Sequence, residues 1–514
     1  MAAFVVRRLI ASIFILLAAT YLMYILVSFS GDPLEELRLG TAPNKMALIE
    51  ARTALLHLDV TPWLRYFIWL VGVNGPTGFE PGVIFGDLGQ SVQNQSVNVL
   101  LSQAISSTIQ LVTVSNITAV VLGLVIGITT ALRQYSGYDY GVTFLSFLFF
   151  SLPIFWVAVL LKQFLAIGFN DFLEAPEIAW WVIPVVAIIS GLIWMSIIPR
   201  PGNQRWVTFA IAAVATGAVV TWMKVTNWFL TPELGYFGMA VTMLGAALLV
   251  TLISTGFKKR RALYTSLGVA AFGMAVSYFF MSFTIGFTIW IWLLTGVGFI
   301  ALGYAAGWFF GGNDRRPIAR TAAITAFFVW AILSLNRFMS VWSQYANSGR
   351  IKNRPIATIG SATPGLEGSL WIHGVDFFTH LLLPTVALIL ISFATYTRYS
   401  RASLLEVMNQ DYIRTARAKG LTERTVIVRH AFRNALIPIA TIVAFDIGAL
   451  IGGAVITERV FGWTGMGQLF VNGLDHVDPN PVMAFFLVTG GLAILFNLIA
   501  DLAYAALDPR IRVS

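Results

Sequence analysis

The residues in this chain best placed to do chemistry are charged groups set beside or within long apolar runs. Between Arg398 and Pro438 lies a basic stretch: Asp411-Tyr-Ile-Arg-Thr-Ala-Arg-Ala-Lys-Gly420-Leu, then Arg429-His-Ala-Phe-Arg-Asn-Ala-Leu-Ile-Pro438. Asp411 is placed to cap a helix over 412–419, because a carboxylate accepts the free amides of a first turn. Gly420 is placed to stop it, since glycine adopts the left-handed conformation cheaply. Thr422 can cap a second helix running toward Pro438, whose missing N–H costs least at a helix start. The predicted helix–turn–helix loop, 399–437, far exceeds the roughly 2–8 residues that join neighbouring helices. Two uses fit it equally on physical grounds: docking to a soluble partner, or lying as an amphipathic segment on anionic lipid.

Ionisable residues inside apolar runs are costly and default to functional candidates. Asp446 reads either as lining a pathway or as bonded to a neighbouring helix, and Asp501 reads as structural. Gly452, in a cluster with Gly448 and Gly453, reads first as a close-packing position. With Asp446 and Glu458 it completes the set of pathway candidates. Nothing points to a catalytic or cofactor site. The sequence holds no Gly-x4-Gly-Lys-Ser/Thr phosphate loop, no His-Glu-x-x-His and no cysteine, and its five histidines are scattered. No metal and no cofactor are therefore expected on this chain.

The elements that must carry these residues are membrane helices. The 514 residues are 57% hydrophobic and only 11% charged, against roughly 25% charged in a soluble domain. The apolar runs are continuous rather than alternating, which excludes barrel strands and leaves helices. About twelve spans of roughly 20 residues are predicted. They are 9–27, 109–132, 142–166, six between 180 and 335 (180–198, 206–225, 236–255, 263–283, 288–310 and 321–335), then 380–398, 435–457 and 482–507. The first resembles a signal peptide but is longer than a signal core and lacks an Ala-x-Ala site, so it is read as an uncleaved helix.

Basic residues set the orientation. With the amino terminus inside, Arg133, Arg200, Arg205, the run Lys258-Lys259-Arg260-Arg261, Arg315, Arg316, Arg320, the loop 399–437 and Arg510/Arg512 all fall on the cytoplasmic side. Acids such as Asp32, Asp87, Glu174, Glu233, Glu458 and Asp478 fall opposite. Both termini are thus expected in the cytoplasm. The formal charge of +9 is explained by these loops, with no nucleic acid partner implied. Lys162 and Lys224 lie near outer helix ends and are expected to snorkel.

The basic loop resembles the cytoplasmic signature of binding-protein-dependent ABC importer permeases, most closely the dipeptide, oligopeptide and nickel branch. Arg414-Thr415-Ala416 stands where the family's Glu-Ala-Ala would, a departure usual in that branch. Other matches follow in order: Arg7-Arg8-Leu and Gly31-Asp32-Pro33, Phe85-Gly86-Asp87-Leu88-Gly89-Gln90-Ser91, Ser151-Leu-Pro153, His380-Leu-Leu-Leu-Pro384, Glu458-Arg-Val-Phe461-Gly-Trp463-Thr-Gly465-Met-Gly467, and Asp508-Pro509-Arg510. Thr464 stands where proline is commoner. The resemblance implies an all-α polytopic protein of the bacterial inner membrane, working with a second permease subunit, two ATPase subunits that bind ATP and magnesium, and an extracytoplasmic solute-binding protein. It implies that 412–421 seats in an ATPase cleft, with Arg414, Arg417, Lys419 and Arg424 as partner-facing charge, Tyr412 and Leu421 as apolar contacts, and Asp411, Ala416 and Gly420 shaping the loop.

The family has six core spans, so the chain divides into a first core part (1–170), an inserted helical block (171–340) and a second core part (341–514). Gly303-x3-Gly307-x3-Gly311 in the block is expected to let helix backbones approach. An ion-coupled secondary transporter is the main alternative. It would be expected to show paired intramembrane carboxylates in repeated halves, which the sequence lacks. A membrane enzyme would need a clustered set of acids or histidines.

Overall fold

A computed structural model describes residues 2–41, 43–75, 78–198 and 202–507, with the backbone alone at 2–5, 75, 424, 437, 441, 444, 445, 447–453, 497 and 499–507. It is helical almost throughout. Among the described residues ten helices are long and apolar enough to cross a membrane, and Val182–Ile197 is a shorter apolar one. With Phe432–Gly453, every expected span except 142–166 corresponds to a single helix. Several helices run well past the bilayer: Val97–Ala131 and Leu370–Met408 have 35 and 39 residues, about 52 and 58 Å at 1.5 Å per residue. Apolar length marks only the part of a helix in lipid; polar ends extend it unseen.

Two expectations are corrected. The run 142–166 is not one helix. Gly137–Ser151 ends before Pro153, and a second helix starts at Ile154. Proline lacks the N–H that the ladder needs and pushes Leu152 out of the α region; Leu152 has ψ 130°. Pro438, by contrast, does not start a helix. It lies inside Phe432–Gly453, which continues through a π-helical turn, Val426–Ala431, from the short helix Glu423–Thr425.

The chain forms two compact units, one of residues 1–163, 359–361 and 381–514, the other of 164–358 and 362–380. In the first, the helix Val97–Ala131 meets Leu370–Met408 at Gly123 and Gly127. A Cβ at Gly123 would meet Tyr396 and Thr397, and one at Gly127 would meet Ser400 and the Thr397 backbone, the close approach that a small-x3-small pattern permits. In the second unit, Ile289–Phe310 packs along Arg315–Ser340. Gly303 faces Ala322 and Ala326, and Gly307 faces Ala319. Gly311 instead lies against its own turn, near Arg315. Lys224 donates to the Ile178 carbonyl and sits 4.8 Å from the centre of the Trp180 ring.

Also in the first unit, residues 29–96 form a folded segment rather than a loop. It holds the helices Lys45–Leu55 and Pro62–Val71 and a two-stranded hairpin, Gly72–Gly75 with Gly78–Pro81. Its last turn, the Phe85–Ser91 motif, anchors the start of Val97–Ala131. The Asn98 side chain accepts from Leu88 N (2.9 Å) and donates to Gly86 O (2.7 Å). Asp478 accepts from Val92 N (2.7 Å) and Asn480 donates to Gln90 O (2.7 Å). The motif thereby clasps the beginning of Pro479–Leu507.

Candidate functional site

The elbow is built from one short helix and one glycine turn. Asp411–Ala418 is helical, with Gln410 at the N-cap in an extended conformation and no side-chain cap. Asp411 is therefore a first-turn residue and not the cap. Its exposed carboxylate still favours the positive helix end and faces Arg414 at 3.6 Å. At the other end Gly420 has φ +76°, Gly420 N donates to Arg417 O (2.9 Å) and Leu421 N to Ala416 O (3.4 Å). This is the paired hydrogen-bond pattern of a Schellman stop, which requires a left-handed residue at the glycine position. Thr422 follows as the N-cap of the next helix; its hydroxyl bonds Thr425 Oγ1 (2.9 Å) rather than an amide.

The elbow helix is strongly two-faced. Ile413 and Ala416, one turn apart, are buried with Leu404, Val426, Ala431, Ala435 and Ala131. Ala416 therefore holds the helix down rather than facing outward. Tyr412, Arg414, Arg417, Lys419, Gly420 and Leu421 are exposed. Arg417 is taken up within the elbow by Glu423 (2.8 and 3.2 Å), and that hydrogen bond holds the Glu423 carboxyl below its ordinary range. Asn434 Nδ2 donates to the Tyr412 hydroxyl (3.1 Å). The outward face thus presents Arg414, Lys419 and Leu421 around the glycine turn, above a buried apolar base. The Arg424 side chain and the surroundings of Gly452 lie outside the described residues.

Two polar constellations brace the helices above the elbow. Arg401 makes a two-pronged pair with Asp139 (both 3.0 Å), and Asp139 is itself held at the helix start: its amide donates to Ser136 Oγ (3.2 Å) and its carboxylate accepts from Tyr135 N (3.1 Å). Sequence reading missed this pair, although Ser136-x-x-Asp139 before an apolar run is a helix-start signature. Deeper, the Tyr396 hydroxyl donates to Asn116 Oδ1 (2.9 Å). Asp446 is partly buried.

Glu458 is fully buried at the opposite end of the core. It accepts from Thr108 Oγ1 (2.7 Å), Gly467 N (2.6 Å) and Gln468 N (3.2 Å). Gly465 and Gly467 pass so close that any side chain there would strike it. Trp463, also buried, donates to Ser107 O (3.2 Å). The Glu458–Gly467 motif is thus a clasp on Val97–Ala131, and Lys162 joins it by donating to Val460 O (3.2 Å). Among the described residues no group of His, Asp and Glu could hold a metal.

Helices of spanning length, with a folded basic elbow between two of them, define a multi-pass membrane protein. Residues 315–513 match the family described as binding-protein-dependent transport system inner membrane component. The match starts at Arg315, so the last helix of the block set apart by sequence falls within it. The oligopeptide transport system permease proteins OppB of Mycobacterium bovis and Mycobacterium tuberculosis are each 46% identical over 155 residues, 30% of this chain and 48% of theirs. The dipeptide transport system permease protein DppB of Escherichia coli is 34% identical over 201 residues, 38% of this chain and 59% of that protein. The chain spans about half the length of the curated relatives it matches. These likenesses are to the peptide branch of ABC importer permeases.

Proposed function

We propose that this chain is a transmembrane permease subunit of an ATP-driven importer for peptides or similar small solutes, forming the pathway with a second permease. The observation that carries this reading is the elbow: a helix pinned by Ile413 and Ala416, stopped at Gly420, with Arg414, Lys419 and Leu421 turned outward. A lipid-lying segment has no need of so rigid a stop. A lever does, because motion delivered at the turn must reach the membrane helices without being absorbed locally.

In this reading each ATPase subunit binds ATP and magnesium and grips one elbow. Closure of the ATPase pair rocks the helix that begins at Glu423, which runs continuously into Phe432–Gly453. A binding protein delivers solute on the far side. Both termini are cytoplasmic, and the chain itself catalyses no reaction. Arg417, engaged by Glu423, shapes the elbow, while Arg414 and Lys419 meet the partner. Glu458 acts as a structural clasp, and Asp446 is the better placed of the two acids to touch a pathway.

The test is ATP hydrolysis in the reconstituted complex. Arg414→Glu with Lys419→Glu leaves the buried face intact and should lower solute-stimulated ATPase at least about tenfold, an effect of ~1.4 kcal/mol. Gly420→Pro, which cannot adopt φ +76°, should uncouple transport altogether. A Gly420→Pro complex that assembles and couples normally would overturn the reading.

A further inference from the structure

The inserted unit contains a cleft that the transport reading does not use. It has a volume of about 640 Å³ and opens between the helices Arg260–Phe283 and Ile289–Phe310, with Arg315–Ser340 behind it. That is the size of a small-molecule site, roughly 300–1,000 Å³. Its walls are apolar, among them Tyr264, Gly268, Phe272, Phe299 and Ala306, and one arginine, Arg261, stands at its end. The space beside Gly268 is open, since a Cβ there would meet nothing, and only a larger side chain would fill it.

The polar end is strongly and unusually positive. Arg260 and Arg261 open one helix and Arg315 and Arg316 another, and neither helix has an acid in its first turn. Cations at a helix amino end oppose the helix dipole. Arg261 crosses to lie against Gly312, beside the start of the second helix. The one neighbouring acid, Asp314, is taken by Lys259 (2.7 Å). Among the described residues no carboxylate pairs with Arg261. Arg261 thus stands over the apolar slot beside the start of the neighbouring helix, on the side that the basic loops mark as cytoplasmic.

We propose that this cleft is a specific site for an anionic phospholipid of the cytoplasmic leaflet, its phosphate held by Arg261 and an acyl chain lying along Gly268, Phe272 and Ala306. The charge selects the headgroup, because basic pockets between membrane helices bind anionic lipid heads. The glycine-lined slot selects a chain over a bulky ring. Ordinary surface lipid would need neither the slot nor an arginine standing over it.

Native mass spectrometry of the full chain, purified in detergent and titrated with phosphatidylglycerol or phosphatidylcholine of identical chains, tests this. Phosphatidylglycerol should be retained at least about fivefold better, ~1 kcal/mol. Arg261→Ala and Gly268→Trp should each bring it down to the phosphatidylcholine level, and Lys258→Ala should not. Equal retention of the two lipids by the unaltered chain would overturn the proposal without recourse to any variant. So would full retention by Arg261→Ala or Ala306→Phe, or an equal loss in Lys258→Ala, which would mean diffuse surface charge. Competition by glycerol phosphate as effective as by the lipid would show an anion site with no role for the slot. None of these outcomes bears on ATPase coupling.

Discussion

At the scale of single residues, the buried acids divide by what surrounds them. Glu458 has its oxygens occupied by a hydroxyl and two amides, so Glu458→Ala strands several buried donors at once. Leaving such groups unpaired costs about 3–5 kcal/mol. The variant should fail to accumulate in the membrane, while Glu458→Gln, which keeps one acceptor, should lose less; equal yields of all three forms would remove the clasp from this account. Asp478 is a different case. Burial raises its carboxyl to about 6, against hydrogen bonds from Val92 and Asn480 and the nearby His476 and Arg52. A folded pKa above the unfolded value of about 4 means that the folded state holds the proton more tightly. The contribution is whole below about pH 4 and is lost as pH rises through about 6. Thermal stability should therefore fall across that window relative to Asp478→Asn. Parallel curves for the two proteins would place the Asp478 titration in the ordinary range.

At the scale of elements, the elbow and the two clasps set what is rigid. Gly420 has open space where a Cβ would stand, so the obstacle to substitution is the backbone and not a clash. Gly420→Ala should cost about 1–2 kcal/mol, the penalty of left-handed backbone for an L residue. Fraying of 411–418 in hydrogen exchange would report it. Protection unchanged from the parent would mean that the turn does not depend on glycine. The same logic explains the misplaced cap. Asp411 and Gln410 are adjacent, and helix ends inferred from sequence are uncertain by more than one residue. The stop at Gly420 was legible because its φ is a property of one residue. The helix start at Ser136-x-x-Asp139 was equally legible as a pattern. What the pattern could not give is that Asp139 would meet Arg401, more than 200 positions away.

At the scale of the whole molecule, the absence of cysteine makes topology directly measurable. A Lys419→Cys protein should react with an impermeant thiol reagent only from the cytoplasmic side, and Glu80→Cys only from outside. Reaction of Lys419→Cys from outside would invert the chain and remove the elbow from reach of any ATPase. The two compact units differ from the three-part division read from sequence. The amino-terminal stretch of the first ends at Gln163, and 362–380 belongs with the inserted helices. Composition gives no sign of such a boundary, because the helix Leu370–Met408 runs through it without a break.

Taken alone, the sequence determined that the chain is a helical membrane protein, roughly where most of its apolar helices run, and that a basic glycine-stopped elbow separates two of them. Each of these is a local property, set by apolar length, charge sign and a single backbone angle. Tertiary structure alone decided which buried charges are bonded and which face of the elbow is free. It also decided that Glu458 clasps Thr108, and that Arg261 stands at the end of an open cleft. Those outcomes depend on residues brought together from distant parts of the chain, and no local pattern encodes which partner a buried polar group will find.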